Sequence, residues 1–207
     1  MTRLLPLFPL DIVLFPKMVL PLHIFEERYK EMIGECLRSK SPFGVLYTHE
    51  GTTARVGCLA GILRVLKKYD DGRMDLLAQG GDRFEILHFD TSASYLQGWS
   101  ESFADREEAQ PPDRKAVQQL LDLFQETARI LKRSEAEKVV VSPGYQGLSF
   151  QIAAGFALPK TVKQRVLEGR SETERVAVLI AYFNENLPRL RRTGVAVKRA
   201  GSNGHVR

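Results

Sequence analysis

Two stretches, Leu5-Pro6-Leu7-Phe8-Pro9-Leu10 and Leu20-Pro21-Leu22-His23-Ile24-Phe25-Glu26-Glu27-Arg28-Tyr29, decide how this chain folds. Both are apolar and both are punctuated by proline. A proline pushes the residue before it toward extended backbone, and its missing N–H confines it to a strand edge or a bulge. Arg3–Leu10 and Met18–Leu22 are therefore predicted to be short edge strands. From Ile24 to Ser39 the apolar period changes from two to that of a helix. Phe25, Tyr29, Met32, Ile33 and Cys36 fall on one face, and Glu26, Glu27, Lys30 and Glu31 fall on the other. This predicts an amphipathic helix embedded in a β domain, with Phe25, Tyr29 and Met32 packed inward.

Strand-like runs follow at Phe43–Thr48, Ala54–Tyr69, Arg73–Ala78, Arg83–Phe89 and Tyr95–Phe103. Asp70-Asp71-Gly72 reads as a hairpin turn, because glycine supplies the positive φ that such turns need. Gly57 and Gly61 suggest a bulge or corner, and Gly80-Gly81 suggests a second tight connection. About six or seven short strands with turns between them predict a small closed or nearly closed β-barrel. Ala104 to Pro112 has no apolar period and ends in a proline pair, so it reads as a linker. Beyond it, Asp113 is a candidate N-cap for a helix with the stripe Val117, Leu120, Leu121, Phe124, Ala128, Leu131. Leu148–Leu158 reads as a second helix. Pro159 opens a third that Gly169 ends. Ser171-Glu172-Thr173-Glu174 has capping-box spacing and starts a fourth, whose continuation Pro188 limits. The predicted class is α+β: a barrel over residues 1–104, then a helical subdomain of about four helices over residues 113–190.

The net charge is +5 over 207 residues. Six basic residues and no acidic one lie between Arg189 and Arg207, so residues 1–188 carry −1. The basicity belongs to the end of the chain, and residues 191–207 read as a disordered basic tail. Cys36 and Cys58 sit in apolar surroundings and lack a second pair, which fits core positions in a reducing compartment. No run of 18 apolar residues is present, so no membrane span is expected. Asp11, Lys17 and four prolines break the apolar opening, which argues against a signal peptide, and a cytoplasmic location is expected. The sequence holds no phosphate loop, no G-x-S-x-G and no H-E-x-x-H. The four histidines are scattered. His23 reads as a polar residue that orders the helix entrance, and Gly144-Tyr145-Gln146-Gly147 as a turn before a helix.

The pattern L-P-L-F-P-L, V-L-F-P at Val13–Pro16 and L-P-L-H-I-F-E-E-R-Y resembles the opening of the Lon substrate-binding domain family. The resemblance continues through Val56–Ile62, Gly72–Leu77, Gly81–Ile86, Ser149–Ala154 and Lys163–Glu168, and it covers about residues 4–190. One departure is Lys17, where many relatives carry glycine, which suggests a turn that does not need positive φ. The resemblance implies a PUA-like barrel with a helical subdomain and a non-catalytic module that binds unfolded, client or partner proteins. In a full Lon protease, ATPase and Ser-Lys protease modules follow this region. The chain ends at Arg207, so neither activity is expected. No cofactor or metal is expected, and the expected partners include a Lon-type protease. Phe25, Glu27 and Arg28 are the candidate protein-binding residues, on a monomer or weak dimer. The alternative is an RNA-binding PUA-like protein. The near-neutral body argues against nucleic acid, as does the lack of a face of mixed aromatic and basic residues.

Overall fold

The prolines of the first strand sit where the strand changes partners. In the computed structural model, which describes residues 2–106, 110–131 and 139–202, β1 spans Arg3–Leu10, β3 Phe43–His49 and β7 Gln97–Ser102. β1 pairs antiparallel with β7 over Arg3–Pro6 and parallel with β3 over Leu7–Leu10. Each half of β1 has a ladder on one side only, a geometry that tolerates the donors missing at Pro6 and Pro9. The chain divides into two compact units, Met1–Asp105 and Arg106–Arg207.

In the first unit, β5 (Val56–Lys68) and β6 (Met74–Asp90) are the long strands, with a two-residue β4 at Thr52–Thr53. The sheet order is β1-β7-β6-β5-β3-β4, and β2 (Val19–Ile24) pairs with β6. The additional β1–β3 pairing brings the path back on itself. The strands therefore form a partly closed ring where the sequence predicts a barrel. Two of the predicted strands are one: β6 runs unbroken through Gly80-Gly81. A Cβ on Gly80 would lie 2.0 Å from the Phe15 carbonyl oxygen. Lys17 N–H donates to Gly80 O at 2.7 Å and Gly80 N–H to Met18 O at 2.9 Å. The glycine admits a neighbouring turn and does not end the strand.

That turn corrects the reading of Lys17. Its φ is 66°, the left-handed region that glycine occupies at lower cost. At Asp70-Asp71-Gly72 the turn is as expected, with Gly72 at φ 83° and its N–H donating to Tyr69 O at 3.0 Å.

The embedded helix, α1, spans Glu27–Ser39 and buries Tyr29, Met32, Ile33 and Cys36. They join Phe8, Leu14, Phe43, Val45, Leu76 and Ala78 in the main core. Burying each large apolar side chain stabilises the fold by about 1.5–3 kcal/mol. Phe25 does not share this face, because the helix starts two residues later and Ile24 at the end of β2 takes the inward position.

The second unit holds four α-helices among the described residues: α2 (Arg114–Ile130), α3 (Leu148–Gly155), α4 (Lys160–Glu168) and α5 (Glu172–Ser202). Both α2 and α4 pack on α5. Phe124, Phe156 and Phe183 meet at centroid distances of 5.4, 5.8 and 6.1 Å and centre the core. Gly144, Tyr145 and Gly147 all take positive φ in the turn before α3. Ser171 Oγ accepts from Glu174 N–H at 3.0 Å, one half of the predicted capping box. The other half is displaced by one residue, since Glu174 Oε2 accepts from Arg170 N–H at 2.8 Å.

α5 is longer than the sequence predicts. It passes through Pro188 and continues to Ser202, so the expected disordered tail over 191–207 is helical up to that residue. Residues 203–207 lie outside the described residues, as do 107–109 of the expected linker. Phe183 and Leu187 are buried ahead of the proline, and beyond it Arg191 forms a bidentate pair with Glu126 of α2, both bonds 2.8 Å. Contacts on both sides hold the helix across the missing donor. At the start of α5, Arg175 and Glu172 form a buried ion pair at 2.7 Å with side chains 3% and 7% exposed.

Candidate functional site

β2 and the ends of β5 and β6 form a three-stranded arm beside the start of α1. The β2–β6 register places Val19 opposite Gln79, Pro21 opposite Leu77 and His23 opposite Asp75. Paired residues share a face, and on β2 this face is the exposed one. Leu63 and Leu66 of β5, at the bulges of the β5–β6 ladder, are exposed beside it.

The three predicted binding residues lie at the junction of β2 and α1, each with a partner of its own. Phe25, between β2 and α1, is 60% exposed. Its ring stacks on His23 at 6.0 Å. Glu27 opens α1 with its carboxylate in solvent and accepts from Lys30 Nζ at 2.7 Å. Arg28 pairs with Glu26 at 2.7 Å, and its guanidinium covers the Tyr29 ring at 4.6 Å. The Lys30 ammonium, expected to face away, also donates to Asp71 O at 2.9 Å and so ties α1 to the β5–β6 turn.

Beneath Phe25 lies a polar brace that the sequence did not disclose. His23 belongs to β2, and its Nδ1 donates to Asp75 Oδ1 at 2.6 Å. Tyr69 donates its hydroxyl to Asp75 Oδ2 at 2.8 Å. The His23 bond, followed by the Tyr69 bond, holds the Asp75 carboxyl below the usual carboxylate range. The same bond to Asp75 pushes the Tyr69 hydroxyl upward. The Tyr69 ring carries Lys67 Nζ at 4.3 Å and the Arg73 guanidinium at 5.0 Å. The cross-strand register of His23 and Asp75 was the available signal, and it needs the strand pairing before it can be read.

Exposed rings, a fixed hydrogen-bond scaffold and paired rim charges suit non-covalent docking. Among the described residues, no group of three metal-ligating side chains is brought together. Among those residues, too, no helix is long and apolar enough to cross a membrane.

The comparisons with known proteins agree on one family. The sequence matches the ATP-dependent protease La (LON) substrate-binding domain over residues 4–185. It is 25% identical over 197 residues to the Lon protease of Anaeromyxobacter dehalogenans, covering 87% of this chain and 23% of that protein. It is 25% identical over 196 residues to the Lon protease of Dictyoglomus thermophilum, covering 89% of this chain and 25% of that protein. The chain thus spans about a quarter of the length of the curated relatives it matches. Among solved structures, the fold is similar to that of the Lon N-terminal domain protein from Xanthomonas campestris, with a TM-score of 0.68 and 23% identity. That match covers 87% of this chain and 98% of the other. It is also similar to the N-terminal domain of the Mycobacterium avium complex Lon protease, with a TM-score of 0.64 and 20% identity, covering 88% and 98% respectively. The chain belongs to the Lon substrate-binding domain family.

Proposed function

We propose that this chain is a protein-binding module that holds non-native or partner polypeptides at the face around Phe25, and that it hydrolyses neither ATP nor peptide bonds. Membership of a substrate-binding family supports the first half of this reading. The observation that carries the site is the exposed Phe25 ring, 60% accessible and stacked on His23 of the His23–Asp75–Tyr69 brace. A large apolar side chain already stacked on a neighbour loses less entropy when a partner covers it than a free one would. Arg28 and Glu27 supply a charged rim that selects orientation more than affinity. A Lon-type protease is a candidate partner.

Covering the exposed part of the phenyl ring contributes about 1–2 kcal/mol, by scaling full burial of such a side chain. Phe25→Ala is therefore expected to weaken capture of carboxymethylated, unfolded lactalbumin by about tenfold. Arg28→Glu is expected to weaken it as well, with both melting temperatures unchanged. Wild-type affinity in both variants would remove the face from consideration, and turnover of ATP or casein by the pure chain would refute the non-catalytic half.

A further inference from the structure

β5 has two unlike halves. Cys58 to Ala60 are flanked by strands on both sides, β3 on one and β6 on the other. From Gly61 to Lys68 the strand pairs with β6 alone, and among the described residues no other strand occupies its second edge. Such an edge presents a row of unused N–H and C=O groups, a template for another strand.

Three features say what kind of strand fits. Leu63 and Leu66 stand 54% and 49% exposed along this segment, which favours apolar partner residues. The whole of β5, Val-Gly-Cys-Leu-Ala-Gly-Ile-Leu-Arg-Val-Leu-Lys-Lys, holds three basic residues and no acidic one. Arg64 and Lys68 form no ion pair among the described residues, which leaves their charge to a partner, while Lys67 is held over the Tyr69 ring at 4.3 Å. A Cβ built on Gly61 meets nothing within 4 Å, and the residue's φ is not positive. Neither packing nor conformation explains this glycine, and strand glycines mark places where another backbone comes close. A second copy of the chain is disfavoured, because pairing β5 with β5 would set the basic residues of both copies against each other.

We propose that the free edge of β5 from Gly61 to Lys68 accepts an extended, acidic and apolar segment of a non-native client as an added strand. The inference rests on the protein-binding reading above and names the class of segment recognised. Main-chain bonds hold the segment whatever its sequence, and Leu63, Leu66, Arg64 and Lys68 set the preference.

The test uses the full chain and two short synthetic peptides, one alternating Val and Glu and the other alternating Val and Lys. By fluorescence anisotropy the Glu peptide should bind at least about tenfold tighter, and Arg64→Glu/Lys68→Glu should reverse that order. Arg64 and Val65 follow one another with no bulge between them, so their N–H groups point to opposite edges. The amide of this pair directed away from β6 should exchange fast in the free chain. It should slow at least about tenfold with the Glu peptide bound. Binding without that protection, or charge reversal without effect on the preference, overturns the proposal. A peptide-free dimer in sedimentation that the charge reversal alters assigns the edge to a second copy, which also overturns it. If unfolded lactalbumin binds, depends on Phe25 and ignores the charge reversal, this inference falls and the Phe25 reading stands. If lactalbumin does not bind at all, both fall.

Discussion

Replacing Arg175 by methionine tests the account of the second unit most sharply. The substitution keeps the side-chain stem, which lies against Gly169, and removes the guanidinium, whose Cζ sits 4.4 Å from the centre of the Phe150 ring. Glu172 then keeps its bond from Ser149 N–H at 2.7 Å but loses the Arg175 partner at 2.7 Å. Gly169 O loses the Arg175 Nη1 donor at 3.0 Å. With the pair buried, a carboxylate left without its counter-charge costs about 3–5 kcal/mol. Against a total stability of about 5–15 kcal/mol, that loss brings the helical unit close to unfolding. The melting transition should fall by about 12–40 °C, at about 4–8 °C per kcal/mol for a unit of this size. The double variant Glu172→Gln/Arg175→Met removes the stranded charge and should recover about 2 kcal/mol of the loss. Urea unfolding followed by far-UV circular dichroism provides both numbers, read as midpoint shifts at constant slope. A single variant that loses less than about 1 kcal/mol, or a double variant no more stable than the single one, refutes the buried-pair argument.

Lys17→Gly relieves a left-handed residue at φ 66°. The relief of about 1–2 kcal/mol, less about 0.5–1 kcal/mol of added chain entropy, should raise stability by up to about 1.5 kcal/mol, whereas Lys17→Val should lower it. Burial pushes the Cys58 thiol up to about 12 and moves Cys36 in the same direction. Neither should react with a maleimide at pH 8 in the native chain, and both should react in denaturant; native labelling of Cys58 would contradict its placement. Glu174 is held below the usual glutamate range, chiefly by the Arg170 N–H. Its contribution is thus complete above the unfolded value and is lost as pH falls through the folded one. Glu174→Gln should flatten the acid limb of the stability curve below about pH 4.3, and an unchanged limb would show that other carboxylates dominate it.

Local signals carried a large part of this fold. The inner face of α1 was legible because Tyr29, Met32, Ile33 and Cys36 repeat at helical spacing and all four are buried. The turn at Gly72 was legible because its φ requirement is a property of one residue. Features that depend on two distant segments were not. Gly80 looks like a strand end until Phe15 is placed against it. Lys17 gives no sign of its φ, because the cost is met by bonds made with β6. Phe25 was assigned to the core and is instead 60% exposed, since helical spacing alone does not say where the helix begins. The His23–Asp75–Tyr69 brace needed the β2–β6 register, and no local pattern marks Arg175 as buried.

The double pairing of β1 also governs the order of assembly. Its two partners lie about 40 and about 95 residues further along the chain, so the strand made first completes its pairing last. During synthesis Arg3–Pro6 must wait unpaired until β7 has emerged. Contacts of such long sequence separation slow folding and leave strand edges open to neighbouring chains in the meantime. Prolines at positions 6 and 9 suit that interval, because a strand lacking donors is a poor template for aggregation. The residues that limit how β1 pairs in the finished ring thus also protect it before the ring exists.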